Sequence, residues 1–212
     1  MNALGKVKID WSPNFAYVIG LIASDGNLSS DGRHINFTSK DYELILYFQS
    51  TLCLNNKIGK KGRGGSKEKI YFVIQFGDVL FYRFLNSIGL TSNKSKSIGK
   101  LNIPGEFFFD FLRGCIDGDG SISTFRHPES IHPQLRVRLC SASREFLEWI
   151  HAETQKRGIT GYINKTRSIF SLIFAISSSK KLLSRMYYIG FGHTLSRKYE
   201  IAKPYLSEVK TS

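Results

Sequence analysis

Between residues 34 and 38, His34, Asn36 and Thr38 alternate with Ile35 and Phe37. A period of two predicts a strand with one apolar and one polar face. The next run, KDYELILYFQSTLCL, changes period: Leu44, Tyr47, Phe48 and Leu52 recur at helical spacing, with Asp41 available near the start. A second hairpin is expected from NKIGKKG, a Gly/Arg/Ser tip and EKIYFVIQF, with Ile70, Phe72, Ile74 and Phe76 on one side. DVLFYRFLNSIGL then reads as a helix stopped by Gly89. Ahead of these elements an apolar helix ends at Asp25-Gly26, where the chain is expected to reverse at the glycine, followed by a short strand and a turn at Ser30-Asp31-Gly32.

The same order returns further along. SISTFRHPESIHPQLRVRLCSAS predicts a hairpin with Val137 and Leu139 inward and Arg136, Arg138 and Cys140 outward. REFLEWIHAETQKRG predicts a helix ending at Gly158, GYINKTRSIFSLIFAIS a second hairpin, and KKLLSRMYYIGFG the last helix. Both halves therefore read αββαββα, an α+β fold of two pseudo-symmetric units. Their expected bounds are 13–90 and 106–203, with a Lys-rich linker at 91–105, broken by Pro104 and Gly105, and a tail at 204–212.

The helix ends themselves are repeated. IGLIASDGNLS at 19–29 and RGCIDGDGSIS at 113–123 share Gly20/Gly114, Ile22/Ile116, Asp25/Asp119, Gly26/Gly120 and Ser29/Ser123. The separation, 94 residues from Asp25 to Asp119, is too long for a solenoid and indicates a duplicated unit. Gly20 with Ser24, and Gly114 with Gly118, lie about one turn apart, so each helix carries a flat stripe of small residues. Two such stripes facing one another let the backbones approach closely and bring Asp25 and Asp119 side by side. Carboxylates at helix C-termini oppose the dipole, and two together repel. A hard divalent cation relieves both costs, and it can also bridge a substrate phosphate and activate water against a phosphodiester.

Charge adds a partner to this picture. The 212 residues hold Lys+Arg 30 against Asp+Glu 17, a net charge of +13, with an apolar fraction of 42% that suits a globular chain. The polar faces of the expected strands carry Asn36, Thr38, Lys69, Tyr71 and Gln75 in one half, and Arg136, Arg138, Asn164 and Arg167 in the other. Cations attract phosphates, and forked donors read base edges, so these faces are expected to meet nucleic acid. Ser29, His34, Ser123 and Arg126 extend the same surface. No stretch approaches a membrane span, and MNALGKVKID has no apolar leader core. Cys53, Cys115 and Cys140 form no CxxC pair, so they are expected as small buried hydrophobes of a soluble, intracellular protein.

VIGLIASDG and LRGCIDGDG resemble the LAGLIDADG motif of homing endonucleases, and FFFDFLRGCIDGDGSIS is similar to the two-motif, single-chain branch. The resemblance runs from about Asn14 to Tyr199. It implies motif helices packed at the centre and two curved antiparallel sheets forming a saddle over the DNA major groove. It implies a monomer that needs no protein partner and binds double-stranded DNA. With Mg²⁺, or with Mn²⁺ or Ca²⁺ in the same place, it would cut both strands of a long asymmetric target and leave 3′ overhangs. The eighth motif position, the metal-binding acid, falls on Asp25 and Asp119, with the preceding Ser24 and Gly118 counted in the metal site. A basic residue near each centre falls on Lys94 and Lys198, with Lys96 and Arg197 as neighbours, and a water-organising position falls on Ser39 and Ser141. One departure stands out: Ala23 occupies the place of the earlier motif Asp, which Asp117 keeps.

The alternative is a non-cleaving binder, an intron RNA maturase or a LAGLIDADG-like transcription regulator. Loss of the motif acids would favour it, yet both are present, and no residues remain for an added helix-turn-helix. An intein remnant is disfavoured by the lack of a Cys or Ser start and a terminal His-Asn. A His-metal site in RHPESIHPQ, at His127 and His132, is disfavoured by its two prolines and the lack of a nearby Cys or Asp-His pairing.

Overall fold

The computed structural model describes residues 5–63, 66–126 and 133–206, without the side chains of residues 63 and 66–69. The first half runs α1 (Pro13–Asp25), β1 (Gly26–Leu28), β2 (His34–Ser39), α2 (Tyr42–Thr51), β3 (Gly59–Arg63), β4 (Ser66–Gly77) and α3 (Val79–Ser87). The second runs α4 (Phe108–Asp119), β5 (Gly120–Phe125), β6 (Gln134–Ser141), α5 (Arg144–Gln155), β7 (Tyr162–Thr166), β8 (Ile169–Phe174) and α6 (Ile176–Met186). A further helix, α7 (Ser196–Ala202), follows. Each half builds an antiparallel sheet of matching order, β1-β2-β4-β3 and β5-β6-β8-β7. The fold is α+β with two pseudo-repeated halves, as the hydropathy pattern predicts.

The motif helices form the centre. Ile19, Leu21 and Ile22 of α1 and Phe111, Leu112 and Ile116 of α4 are all fully buried, so each helix is covered on nearly every side. Ser12 caps α1 by accepting from the Phe15 N–H at 3.2 Å, and Pro13 supplies the φ that a first helical residue needs. Inward residues of the sheets, such as Ile35, Phe37, Val137 and Leu139, pack on this pair, while Asn36, Thr38, Arg136 and Arg138 keep the other face.

Several expectations are corrected. The motif glycines do not reverse the chain: Gly26 (φ −77°) and Gly120 (φ −103°) are extended and lead straight into β1 and β5. They are needed for space, because a Cβ on either would lie 2.7 Å from the Cα of Ile22 or of Ile116. Ile70 is exposed, since β4 there has outrun the core beneath it. The last predicted helix begins earlier and stops at Met186, whose carbonyl is taken by Arg113. Cys53 is exposed, with φ 52° just past the end of α2, while Cys115 is buried and Cys140 half-buried. Residues 91–105 form no regular helix or strand before Gly105, but they contribute Lys94, Ile98 and Leu101 to the interior.

Candidate functional site

Gly20 and Gly114 make the centre possible. A Cβ on Gly20 would lie 2.1 Å from the Phe111 carbonyl oxygen, and one on Gly114 would lie 2.1 Å from that of Tyr17. One turn on, the stripe continues: a Cβ on Gly118 would meet Ser24 Oγ at 2.1 Å and Asp25 Oδ2 at 3.1 Å. The acid ending α1 thus reaches the last turn of α4, beside Asp119. Ser24 turns its hydroxyl inward, donating to the carbonyls of Gly20 and Leu21 at 3.1 Å each.

Two buried lysines lie at these helix ends. Lys94, 6% exposed, points its Nζ at the Ser24 carbonyl at 3.5 Å. Lys198, 3% exposed, donates to the carbonyls of Ile116 (2.5 Å), Asp117 (2.8 Å) and Gly120 (2.8 Å). A cation at a helix C-terminus satisfies orphan carbonyls and complements the dipole, which offsets the acids placed there. Burial lowers the pKa of both lysines, that of Lys198 to about 8, while the neighbouring carboxylates pull the other way. For Lys94 the stronger of those carboxylates is Asp119, of the opposite repeat, ahead of Asp25. Asp119 is pushed above the ordinary carboxylate value by burial of its carboxyl, with Lys94 and Lys198 opposing.

The outer faces of the sheets flank this centre. Asn36 lies opposite Gln75, and Tyr71 opposite Lys61, with Thr38 between these rows. Asp25, Thr38, Tyr71, Gly62 and Lys61 line one cavity of about 270 Å³. Lys61 carries no signal in the sequence, where it stands beside Lys60 between two glycines and shows no alternation. On the second sheet Ser123 lies opposite Arg136, and Asn164 opposite Ser171. The Arg136 guanidinium sits 4.2 Å over the Phe125 ring, which fixes its fork. Arg138 and Arg126 are exposed, and Ser29 is half-buried, its carbonyl accepting from Tyr82 Oη at 2.6 Å. The His34 ring is held by Asp31.

Three residues expected on the outer sheet faces stand off them. Ser39 is buried on the inward side of β2 and accepts from the Asp41 N–H, and Ser141 does the same for Ser143, both at 3.1 Å. Their hydroxyls close matching turns into α2 and α5 instead of facing outward. Arg167 is at the tip of the β7–β8 turn with φ 57°, off the strand face. The Lys69 side chain lies outside those described, as do residues His127 and His132.

Paired repeats of this form, meeting on two helices that each end in an acid, define a LAGLIDADG-type architecture. The chain belongs to the LAGLIDADG-like domain family, whose model matches residues 12–89 and again 106–188. No curated protein matches it in sequence. Among solved structures it is similar to the LAGLIDADG meganuclease I-AabMI bound to uncleaved DNA, at TM-score 0.62 and 16% identity, covering 93% of this chain and 90% of that one. The meganuclease I-SmaMI bound to uncleavable DNA follows at TM-score 0.61 and 15% identity, with 93% and 92% covered. Full-length DUF199/WhiA from Thermatoga maritima is similar at TM-score 0.56 and 17% identity; 97% of this chain matches, spanning 64% of that chain. No helix among the described residues is long and apolar enough to cross a membrane.

Proposed function

We propose that the protein is a site-specific double-stranded DNA endonuclease that hydrolyses one phosphodiester in each strand and leaves 3′ overhangs. The observation that carries this reading is the close approach of Asp25 to the end of α4, beside Asp119, with a buried lysine at each helix end. The donors fit a hard divalent ion: two carboxylates and main-chain oxygens at the helix ends. Among the described residues no cluster of three or more His, Cys, Asp or Glu surrounds them. Water and phosphate oxygens would therefore complete the shell, as Mg²⁺ prefers. Bound there, the ion would supply a lowered water pKa and charge neutralisation at phosphorus. Asp25 and Asp119 would hold it, and Lys94 and Lys198 would stabilise charge developing on the scissile phosphates. The exposed amides and cations of the two sheets would hold the duplex over the centre. Similarity to DNA-bound meganucleases supports that placement.

The test is incubation with a library of duplex targets and Mg²⁺, beside Asp25→Asn and Asp119→Asn. Double-strand cutting by the parent protein and its loss in the double variant are expected. Cutting that survives both substitutions would overturn the reading. Tight duplex binding with no cutting under any divalent ion would establish the non-cleaving binder instead.

A further inference from the structure

Asp117 and Ala23 hold the same place in the two motif helices, yet only Asp117 carries a polar group there. Asp117 is 2% exposed, and one of its oxygens, Oδ2, receives three donors. These are Tyr17 Oη from α1 at 2.8 Å, the Leu195 N–H at 2.8 Å and Thr194 Oγ1 at 3.2 Å. Leu195 is the residue from which α7 starts, and α7 carries Lys198. The carboxylate of the motif helix thus holds the first turn of the helix whose lysine returns to cap that same motif helix.

The outer side of α7 is tied to the other repeat. Arg197 meets Asp41 with two bonds, Nε to Oδ1 at 3.1 Å and Nη2 to Oδ2 at 2.9 Å. Ser196 donates to Glu43 through its hydroxyl at 2.6 Å and its N–H at 3.2 Å. Asp41 and Glu43 begin α2, so groups of both halves fix this short helix. All three protons of the Lys198 ammonium are then committed to named carbonyls. Among the described residues Lys94 shows no counterpart of this scaffold: it lies in a segment without regular structure, its matched motif position is Ala23, and the one hydrogen bond of its ammonium is 3.5 Å long.

The geometry points to Asp117 as a positioning residue for Lys198, acting through α7 on one of the two cutting centres and leaving the other to Lys94. The catalytic half of this inference rests on the endonuclease reading. Its consequence is unequal strands: the cut served by Lys198 depends on Asp117 and on the Asp41/Glu43 pair, and the other does not.

Two measurements on the full chain test it. The first needs no cutting: hydrogen exchange of the amides from Leu195 to Tyr199 in the free protein. Asp117→Ala should speed exchange there by about tenfold or more, and Asp117→Asn, which keeps an acceptor oxygen, should restore most of the protection. Unchanged exchange in Asp117→Ala overturns the inference whether or not the protein cuts. The second follows each strand of a cleaved duplex in single turnover. Asp117→Ala should slow one strand by about tenfold or more, so that nicked product accumulates, because small misplacements of a catalytic group are costly. Equal slowing of both strands, or of neither, overturns it. Should Asp117→Ala not fold, the double variant Asp41→Asn/Glu43→Gln, at two half-buried residues outside the hydrophobic core, reaches α7 from its other side and should give the same strand bias. A parent protein that cuts no target, with α7 exchange still responding to Asp117, would sink the endonuclease reading and leave the positioning role standing.

Discussion

A Cβ on Gly20 would stand 3.0 Å from the Cα of Gly114 and 2.1 Å from the Phe111 carbonyl oxygen. The obstacle is backbone on a fully packed helix, so no rotamer change can make room. Gly20→Ala and Gly114→Ala should each lower stability by about 3 kcal/mol, the upper end for overpacking, despite alanine's better helix propensity. Urea unfolding should show a lower midpoint with an unchanged slope. An unchanged midpoint would mean that the helices can separate freely at this point.

Arg113 is fully buried and spends its guanidinium on three partners: Asp110 Oδ1 at 2.7 Å, the Met186 carbonyl at 2.6 Å and the His193 carbonyl at 3.0 Å. Tyr188 Oη adds a donor to Asp110 at 3.1 Å. Removing one charge leaves the other buried without its counterion. Asp110→Asn should therefore cost about 3–5 kcal/mol in chemical denaturation, whereas joint replacement of both residues by apolar ones of similar volume should cost much less. A loss below about 1 kcal/mol would place the pair in the range of surface salt bridges.

Much of this was legible in the chain. Alternation at 34–38 and 135–139 located the central strands because their inner faces rest on a continuous core. The paired small residues located the helix contact because close backbones exclude larger side chains. What escaped depends on long-range partners. The helix α7 is short and polar, and it is held by Asp41, Glu43 and Asp117, far from it in sequence. Local periodicity carries no trace of such bonds. Asp41 illustrates the point: near a helix start it suggested a cap, but it makes no side-chain cap bond and pairs with Arg197. Ser39 and Ser141 show that a polar residue closing a strand serves the following turn as readily as a surface.

The turn at Asp31 offers a pH test. The Asp31 carboxyl is held at about 2, below its ordinary 3.8, chiefly by the His34 ring and then by the His34 N–H, with the Arg33 N–H also contributing. A lowered folded pKa means that this contribution is fully present above the unfolded value and is lost as pH falls through the folded one. The turn should stay closed down to pH ~4 and loosen between pH ~4 and ~2. Carboxyl carbon NMR would follow it, and His34→Ala should bring the midpoint back toward 3.8. A midpoint unmoved by that substitution would show that the ring does not hold the carboxylate.

Lys94 and Lys198 should separate cutting from binding. Both ammonium groups are nearly enclosed and fixed at the motif-helix ends, so their charge acts at this centre and neither serves as a mobile surface cation along the duplex. Lys94→Ala should slow single-turnover cutting by about 100-fold while affinity for the duplex changes by less than about threefold. Its effect on stability should be small, because it gives up one long contact. Lys198→Ala should show the same split between rate and affinity, but it also takes a donor from the Ile116, Asp117 and Gly120 carbonyls, of which Ile116 keeps the Gly120 N–H. It should therefore lose about 1–3 kcal/mol of stability as well. The opposite result, a uniform loss of affinity with normal cutting rates and a salt dependence shallower by about one charge, would make both lysines phosphate anchors and remove them from the catalytic centre.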